Sequence, residues 1–431
     1  MPKIKFSLHS FILLFIVTLP FIAFGINVGS ETITLSFVAF LGIAIFYIAA
    51  KKSVPIPNDN LTKNLMLFFV IAAFSSYLTV NTISTSLNVL GDTAAMKDIK
   101  QLAMLFFIII HFSLLLLVFK RQNLEQLRRY FWFFIYLSFF VSLYSIYQFA
   151  ALTYDLPFGD ILRNTKSYSV ALKNETSGWM GSGMMRARAF MPESSFWGAY
   201  LLVPISFLLP FVFSSKSVKI FSMFTVFIIA MFLSFSRSGW AGLIIIFMIF
   251  TYIEIIYDNK LYKALNAVMV FSILFIFLTN FILPNMIEYL SSFSDHSAMV
   301  RFDIQRNSFL TFLKHPFMGI GWGNTGFFLM DFTTYNFYLQ LLLETGLIGF
   351  VVFCAFLLKI WKVLTVNESL MSKSDGRTEL GKILLGLKLA FISILFTWFN
   401  TTAYNLSYIW FVAALCCVFP LKYGQMLKEK T

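Results

Sequence analysis

Residues 102–119 read LAMLFFIIIHFSLLLLVF, a run in which no position carries a charge. A helix climbs ~1.5 Å per residue, so ~20 apolar residues cross a hydrocarbon layer ~30 Å thick. A helix on the surface of a soluble domain would show a polar face over the same length, and this run has none. Working outward from it, comparable runs recur near 11–28, 33–50, 64–81, 130–152, 195–213, 219–236, 239–257, 264–284, 334–358, 383–402 and 404–421. The composition agrees: 59% of the residues are hydrophobic and 12% charged, where soluble domains carry about a quarter charged. The reading is an all-α integral membrane protein of about 12 transmembrane helices, folded as a single polytopic membrane domain over residues 1–431.

Lys and Arg collect in loops that stay on the cytoplasmic side, which fixes orientation. With the N-terminus inside, Lys51, Lys52, Lys63, Lys120, Arg121, Arg128, Arg129, Lys216, Lys219, Lys260, Lys263, Lys359, Lys362, Lys373, Arg377, Lys382 and the C-terminal lysines all fall inside, and both termini are cytoplasmic. The net charge of +13 is then mostly a topology signal and gives a nucleic-acid partner little support. Lys3 and Lys5 precede the first run as they would in a signal peptide. No small-residue cleavage pattern follows and further spans come at once, so the run is read as a retained span. Cys354, Cys416 and Cys417 fall within expected helices and offer neither a disulfide framework nor a spaced ligand set.

The exceptions to the charge rule carry more information. Lys97, Lys100, Arg163, Lys166, Lys173, Arg186, Arg188, Arg237, Arg301, Arg306 and Lys314 face outward, in and around two long external loops, 153–194 and 285–333. Cations there oppose the insertion bias, which points to an anion that makes them useful. In the first loop, Ser194 or Ser195 is the expected N-cap of the sixth helix. In the second, Val300, Ile304, Phe309 and Phe312 are spaced as on an amphipathic surface helix, with caps at Asp295 or Ser297 and a stop at His315-Pro316. Gly321-Trp-Gly323-Asn-Thr-Gly326 formally matches the dinucleotide-binding glycine pattern, but no βαβ unit surrounds it. A turn with backbone N–H groups open to an anion is the better reading.

Each candidate side chain has a plain and a functional reading. Arg237, between two spans, either snorkels to lipid phosphate or grips a diphosphate with its planar guanidinium fork. Arg186, Arg188 and Arg301 either form loop salt bridges or do the same. Glu193, at the mouth of a helix where the dipole favours a carboxylate, either caps it or acts as a general base. Glu344 lies well inside the tenth expected helix, so it must face the bundle interior or a polar cavity, as an arginine's partner or as a catalytic group. His111, alone in the fourth span, is expected to make an interhelical hydrogen bond. No histidine pair has metal-ligand spacing and no loop is rich in Asp, so the expected chemistry uses no metal and no cofactor.

Four stretches carry a resemblance. They are Arg186-x-Arg188-x-Phe190-x-Pro192-Glu193-Ser194, Ser234-Phe-Ser-Arg237-Ser-Gly239-Trp240, Arg301 with the later His315-Pro-Phe-Met-Gly-Ile-Gly-Trp-Gly-Asn324, and Tyr335-Asn336 running on to Glu344-Thr-Gly346-Leu-Ile-Gly349. In this order, among about twelve spans, they make the chain resemble the O-antigen polymerase and O-antigen ligase superfamily of bacterial envelopes. The resemblance implies a GT-C-like membrane glycosyltransferase of the bacterial inner membrane, with a periplasmic active site and a role in lipopolysaccharide biosynthesis. It further implies that a glycan moves from an undecaprenyl-diphosphate carrier to an acceptor. Arg186, Arg188, Arg237 and Arg301, with Asn336 and Glu344, would hold substrate and its diphosphate, while Glu193 or Tyr335 would assist the acceptor hydroxyl. In ligases of the family a histidine precedes the asparagine; here Tyr335 stands there, which favours a polymerase that extends the next lipid-linked repeat unit. The implied partners are the lipid-linked donor and acceptor, membrane lipids and a chain-length regulator protein. A flippase for the same lipid-linked glycans is the reading from another class; it would call for two related halves and charges meeting at the midplane, and neither is evident.

Overall fold

The computed structural model describes residues 8–28, 31–51, 59–80, 93–159, 186–214, 217–258, 296–329, 333–366 and 378–430. In chain order these form α1 (Leu8–Thr18), β1 (Gly25–Val28), β2 (Glu31–Thr34), α2 (Leu35–Lys51), α3 (Asn60–Val80), α4 (Ala94–Lys120), α5 (Leu124–Thr153), α6 (Ser194–Val212), α7 (Val218–Leu233), α8 (Arg237–Asp258), α9 (His296–Lys314), α10 (Thr325–Phe328), α11 (Phe337–Thr365), α12 (Glu379–Thr397) and α13 (Ser407–Lys430). Eight of them, α3, α4, α5, α6, α8, α11, α12 and α13, are long and apolar enough to cross a membrane; α1, α2 and α7 are shorter apolar helices. The ninth expected span, 264–284, and most of the first long loop lie outside the described residues.

The first expected span needs correction, and with it the strictly all-α reading. The helix stops at Thr18, just before Pro20, which has no N–H to continue the ladder. The chain then turns into an antiparallel hairpin in which Gly25 faces Thr34 and Val28 faces Glu31. Apolar content extends into the first strand through Ile26 and Val28, so hydropathy alone does not separate that strand from the helix before it. At the other extreme α4 begins well before the expected residue 102, capped by Thr93, whose side chain accepts from Met96 N. Its opening turns carry Lys97, Asp98 and Lys100.

The centre of the bundle is α6, whose residues from Trp197 to Phe211 are all buried. It packs against α12, α8 and α7, while α11 packs on α3 and α13 on α4. Its prolines, Pro204 and Pro210, are tolerable in a membrane helix because neighbouring elements cover the backbone groups they free. Large apolar side chains such as Ile45, Val70, Phe74, Phe140, Met248 and Leu358 point outward and are exposed. In water such faces would aggregate, whereas in a bilayer they are the lipid surface.

The bundle has two chemically distinct ends. At one, Lys120 pairs with Asp59 at 4.0 Å and Arg128 with Glu379 at 3.3 Å, and Trp132 Nε1 donates to Glu379 at 2.8 Å. At the other, the segments 186–193, 315–329 and 333–336 fold over the helix ends. His111 lies between them, fully buried, with its ring against Phe15, Phe37 and Phe40. Among the described residues the hydrogen bond expected of it is not made: neither ring nitrogen has a partner, because the ring is enclosed by aromatic side chains.

Where α6 meets α8 the helices touch through glycines. A Cβ on Gly198 would lie 2.6 Å from both Cβ and Oγ of Ser236, and one on Gly239 would lie 3.2 Å from the Gly198 Cα. Ser236 caps α8 by accepting from Gly239 N at 3.1 Å. Gly198→Leu is expected to cost about 1–3 kcal/mol through overpacking, seen as a lower melting temperature in detergent. An unchanged melting curve would mean that this contact does not hold the α7–α8 turn in place.

Candidate active site

The first cluster is built on the α7–α8 turn. The segment entering α6 runs across it: Ala187 N donates to Leu233 O at 2.9 Å and the Arg186 guanidinium to Phe235 O at 3.3 Å. Buried Gln148 of α5 clamps the same segment, its Oε1 accepting from Arg188 N and Ala189 N at 3.0 and 2.7 Å and its Nε2 donating to Ala189 O at 3.2 Å. Phe190 then stacks on Tyr144 and Phe21, each at 4.5 Å between ring centroids. Two non-glycine residues, Ala189 and Phe235, take left-handed backbone conformations with φ of 48° and 46°. Such strain persists only where surrounding contacts over-determine it, and the Gln148 clamp and the bond to Phe235 O supply those contacts.

This folding brings three of the four sequence-selected arginines to one turn. Arg186 is half-buried, Arg188 is only 3% exposed and Arg237 is exposed. Arg237 is the first residue of α8, at the positive end of a helix dipole, where a cation is disfavoured unless an anion sits beside it. Glu193 is the N-cap residue of α6, in place of the serines expected there, but makes no side-chain cap bond. Its carboxylate accepts instead from Ser195 Oγ at 3.1 Å and stands exposed. The plain capping role therefore does not account for it.

The second cluster is a break in α11. Gly346 has φ 65° and ψ −169°, and the two halves of the helix are completed by the segment before α10 rather than by each other. Ile320 N and Gly321 N donate to the carbonyls of Leu343 and Glu344 at 2.9 and 3.0 Å, and Leu347 N and Ile348 N donate to those of Pro316 and Phe317 at 2.8 and 3.4 Å. Ser75 of α3 seals the joint, donating to Met318 O and to Glu344 O and accepting from Gly321 N at 3.0 Å; Ser76 accepts from Trp322 N at 2.8 Å. Irregular backbone at membrane depth survives only where protein satisfies its polar groups, and this segment meets that condition bond by bond.

Around the break lie the remaining candidates. Glu344, 1% exposed, accepts from Thr325 Oγ1 at 2.6 Å and from Gln340 Nε2 at 3.2 Å and has the backbone of Gly323 and Thr325 as further hydrogen-bond partners, so it is held by neutral groups and faces the interior as expected. Asn336 caps α11, its side chain accepting from Leu339 N at 3.1 Å. Tyr335, at φ 52°, lies half-buried with the Arg301 guanidinium over its ring at 4.9 Å. Arg301 belongs to α9, which uses Val300, Ile304 and Phe312 to pack on Ile320 and Leu343. Asp295, one expected cap of that helix, lies outside the described residues, and Ser297 is inside the helix rather than before it.

Sequence reasoning missed Gln148, Ser75, Ser76, Asp98 and Asn324. Gln148, Ser75, Ser76 and Asp98 lie outside every quoted motif, and Asn324 closes the glycine-rich stretch without having been given a role of its own. The one available signal was Asp98, an acid among the outward cations Lys97 and Lys100.

Residues 221–354 match the family described as O-antigen ligase. The matched stretch is similar to that family from α7 into α11 and contains Arg237, Arg301, Tyr335, Asn336 and Glu344; Arg186, Arg188 and Glu193 precede it. No curated protein matches the chain.

Proposed function

We propose, from the similarity of residues 221–354 to O-antigen ligases, that the chain is a surface-polysaccharide polymerase of the bacterial cytoplasmic membrane. It would transfer a glycan from undecaprenyl diphosphate to the next lipid-linked repeat unit on the periplasmic face. The observation that carries the reading is the gathering of Arg186, Arg188 and Arg237 on one turn, with Arg301 and Tyr335 paired at the α11 entrance. Breaking a sugar–diphosphate bond frees an intrinsically good leaving group. The protein's work is then to orient two long substrates and neutralise charge as it accumulates on the diphosphate. Guanidinium groups do this in a fixed geometry and stay charged at any working pH.

Glu193 is the better placed of the two candidate bases. It is an exposed carboxylate at a helix mouth, oriented by Ser195, on the chain segment that carries Arg186 and Arg188. Tyr335, under Arg301, is suited to position a sugar ring. Transfer to a lipid-linked acceptor needs no metal or cofactor in this scheme, and a chain-length regulator would act from outside the bundle. The family description favours a second reading, ligation of finished polymer to lipid A core. The glycan ladder of a deletion strain separates the two. Core capped by a single repeat unit is the expected result, whereas unmodified core with polymer retained on its carrier makes the chain a ligase, and inward-facing lipid-linked units make it a flippase.

A further inference from the structure

Four oxygen-bearing side chains meet behind the α11 break, outside the arginine clusters. Asp98 of α4 is 5% exposed and Asn324, at the end of the glycine-rich turn, is fully buried. Asp98 faces the Asn324 side chain and the Glu344 carboxylate. One N–H of the Asn324 amide goes to Ile320 O at 3.1 Å and one of Gln340 to Glu344 Oε1 at 3.2 Å, and the Asn324 side chain also bonds to Asp98. Among the described residues, Oδ1 of Asn324 and Oε1 of Gln340 find no hydrogen-bond partner, Oε2 of Glu344 has no close one, and the Asp98 carboxylate has the Asn324 side chain as its recorded hydrogen-bonding neighbour. Every one of these atoms is an acceptor.

Burying one unpaired carboxylate is expensive and burying two side by side is more so. Among the described residues, Lys97 lies in electrostatic reach of Asp98, with its ammonium over the Phe327 ring at 5.4 Å. A proton shared by the two acids would leave both amide oxygens bare. A doubly charged ion balances both carboxylates and takes oxygen ligands from carboxylate, amide and water alike. Among the described residues no three His, Cys, Asp or Glu side chains group as a metal site; here half the ligands are amides.

We propose that Asp98, Glu344, Asn324 and Gln340 bind a hard divalent cation, of the calcium or magnesium class, which ties α4 to the glycine-rich turn and to the first half of α11. The ion is structural: it sets the joint between those elements, and the glycosyl transfer described above does not pass through it. The inference does not depend on the polymerase reading, because it rests on buried oxygens and not on the arginines.

The test is thermal unfolding of the full-length protein in detergent, first stripped of divalent ions by a chelator and then titrated with Ca2+ or Mg2+. For the wild type the melting temperature is expected to rise by about 3 °C or more at saturating ion. The rise should vanish in Asp98→Asn and shrink in Asn324→Ala, which removes a ligand without altering charge. A wild type that melts at the same temperature with and without either ion overturns the proposal. So does a rise of equal size in both variants, and so does an Asp98→Asn protein that is stabilised while the wild type ignores both ions, since that would assign the pair to a shared proton.

Discussion

Arg237→Ala is expected to abolish long-chain polymer while leaving the amount of protein in the membrane unchanged. The side chain is exposed and opens α8, so its removal empties no core position. It also relieves a cation placed at the positive end of a helix dipole, an arrangement that costs about 0.3–1 kcal/mol on its own. If that cation is there to stabilise charge on a leaving diphosphate, its loss should slow transfer by about 10²–10³-fold, the range seen when one preorganised stabiliser of developing charge is removed. Arg237→Lys should recover part of the activity, since a lysine supplies charge without the bidentate fork. Glycan ladders read beside an immunoblot of the membrane fraction check both halves of the expectation. Polymer of ordinary length in the alanine variant would remove Arg237 from the clamp.

Gly346→Ala is expected to prevent stable folding, by a route unrelated to substrate. At φ 65° and ψ −169° the backbone lies in a region that is essentially glycine's alone, and forcing an L side chain there costs about 1–3 kcal/mol before any contact is considered. The contact is worse: a Cβ at this position would sit 2.2 Å from the Phe317 carbonyl oxygen and 2.6 Å from Met318 N. Those are backbone atoms of the segment that completes the broken helix, so relief means losing the hydrogen bonds of Leu347 and Ile348 to Pro316 and Phe317. Backbone groups freed within a bilayer find no ready replacement partner. The total should reach about 4 kcal/mol or more, in the range of the most damaging single substitutions. It would be read as loss of monodisperse protein on extraction and a collapsed melting transition. A Gly346→Ala protein that melts with the wild type would show that the helix is not broken where the structure breaks it.

These two residues also mark what could be read in advance. Arg237 stood out in the sequence because a cation in an expected outward loop is a local anomaly, visible without knowing its neighbours. Arg186 and Arg188 were legible for the same reason, but their placement against the α7–α8 turn was not, because it depends on Gln148, a glutamine in the middle of a span that could face anywhere. Glu344 was recognised as an interior carboxylate from its depth in an apolar run. That Asp98 would face it could not be recognised, since α4 was expected to begin after that residue. Gly346 stood in a stretch whose hydropathy is that of a continuous helix, and a glycine in a membrane helix usually marks close packing and no more.

That the chain is a multi-pass helical membrane protein, with eight of its described helices long and apolar enough to span, follows from the sequence by itself, because transfer into a bilayer is decided residue by residue over ~20 positions. What the tertiary structure alone decided is how 315–324 enters the gap in α11, how Ser75 and Ser76 close that joint, and which arginines share a turn. Those are choices of hydrogen-bond partner between segments far apart in the chain. Periodicity reports which groups must leave water, and it is silent about which of the many available partners each buried group will find.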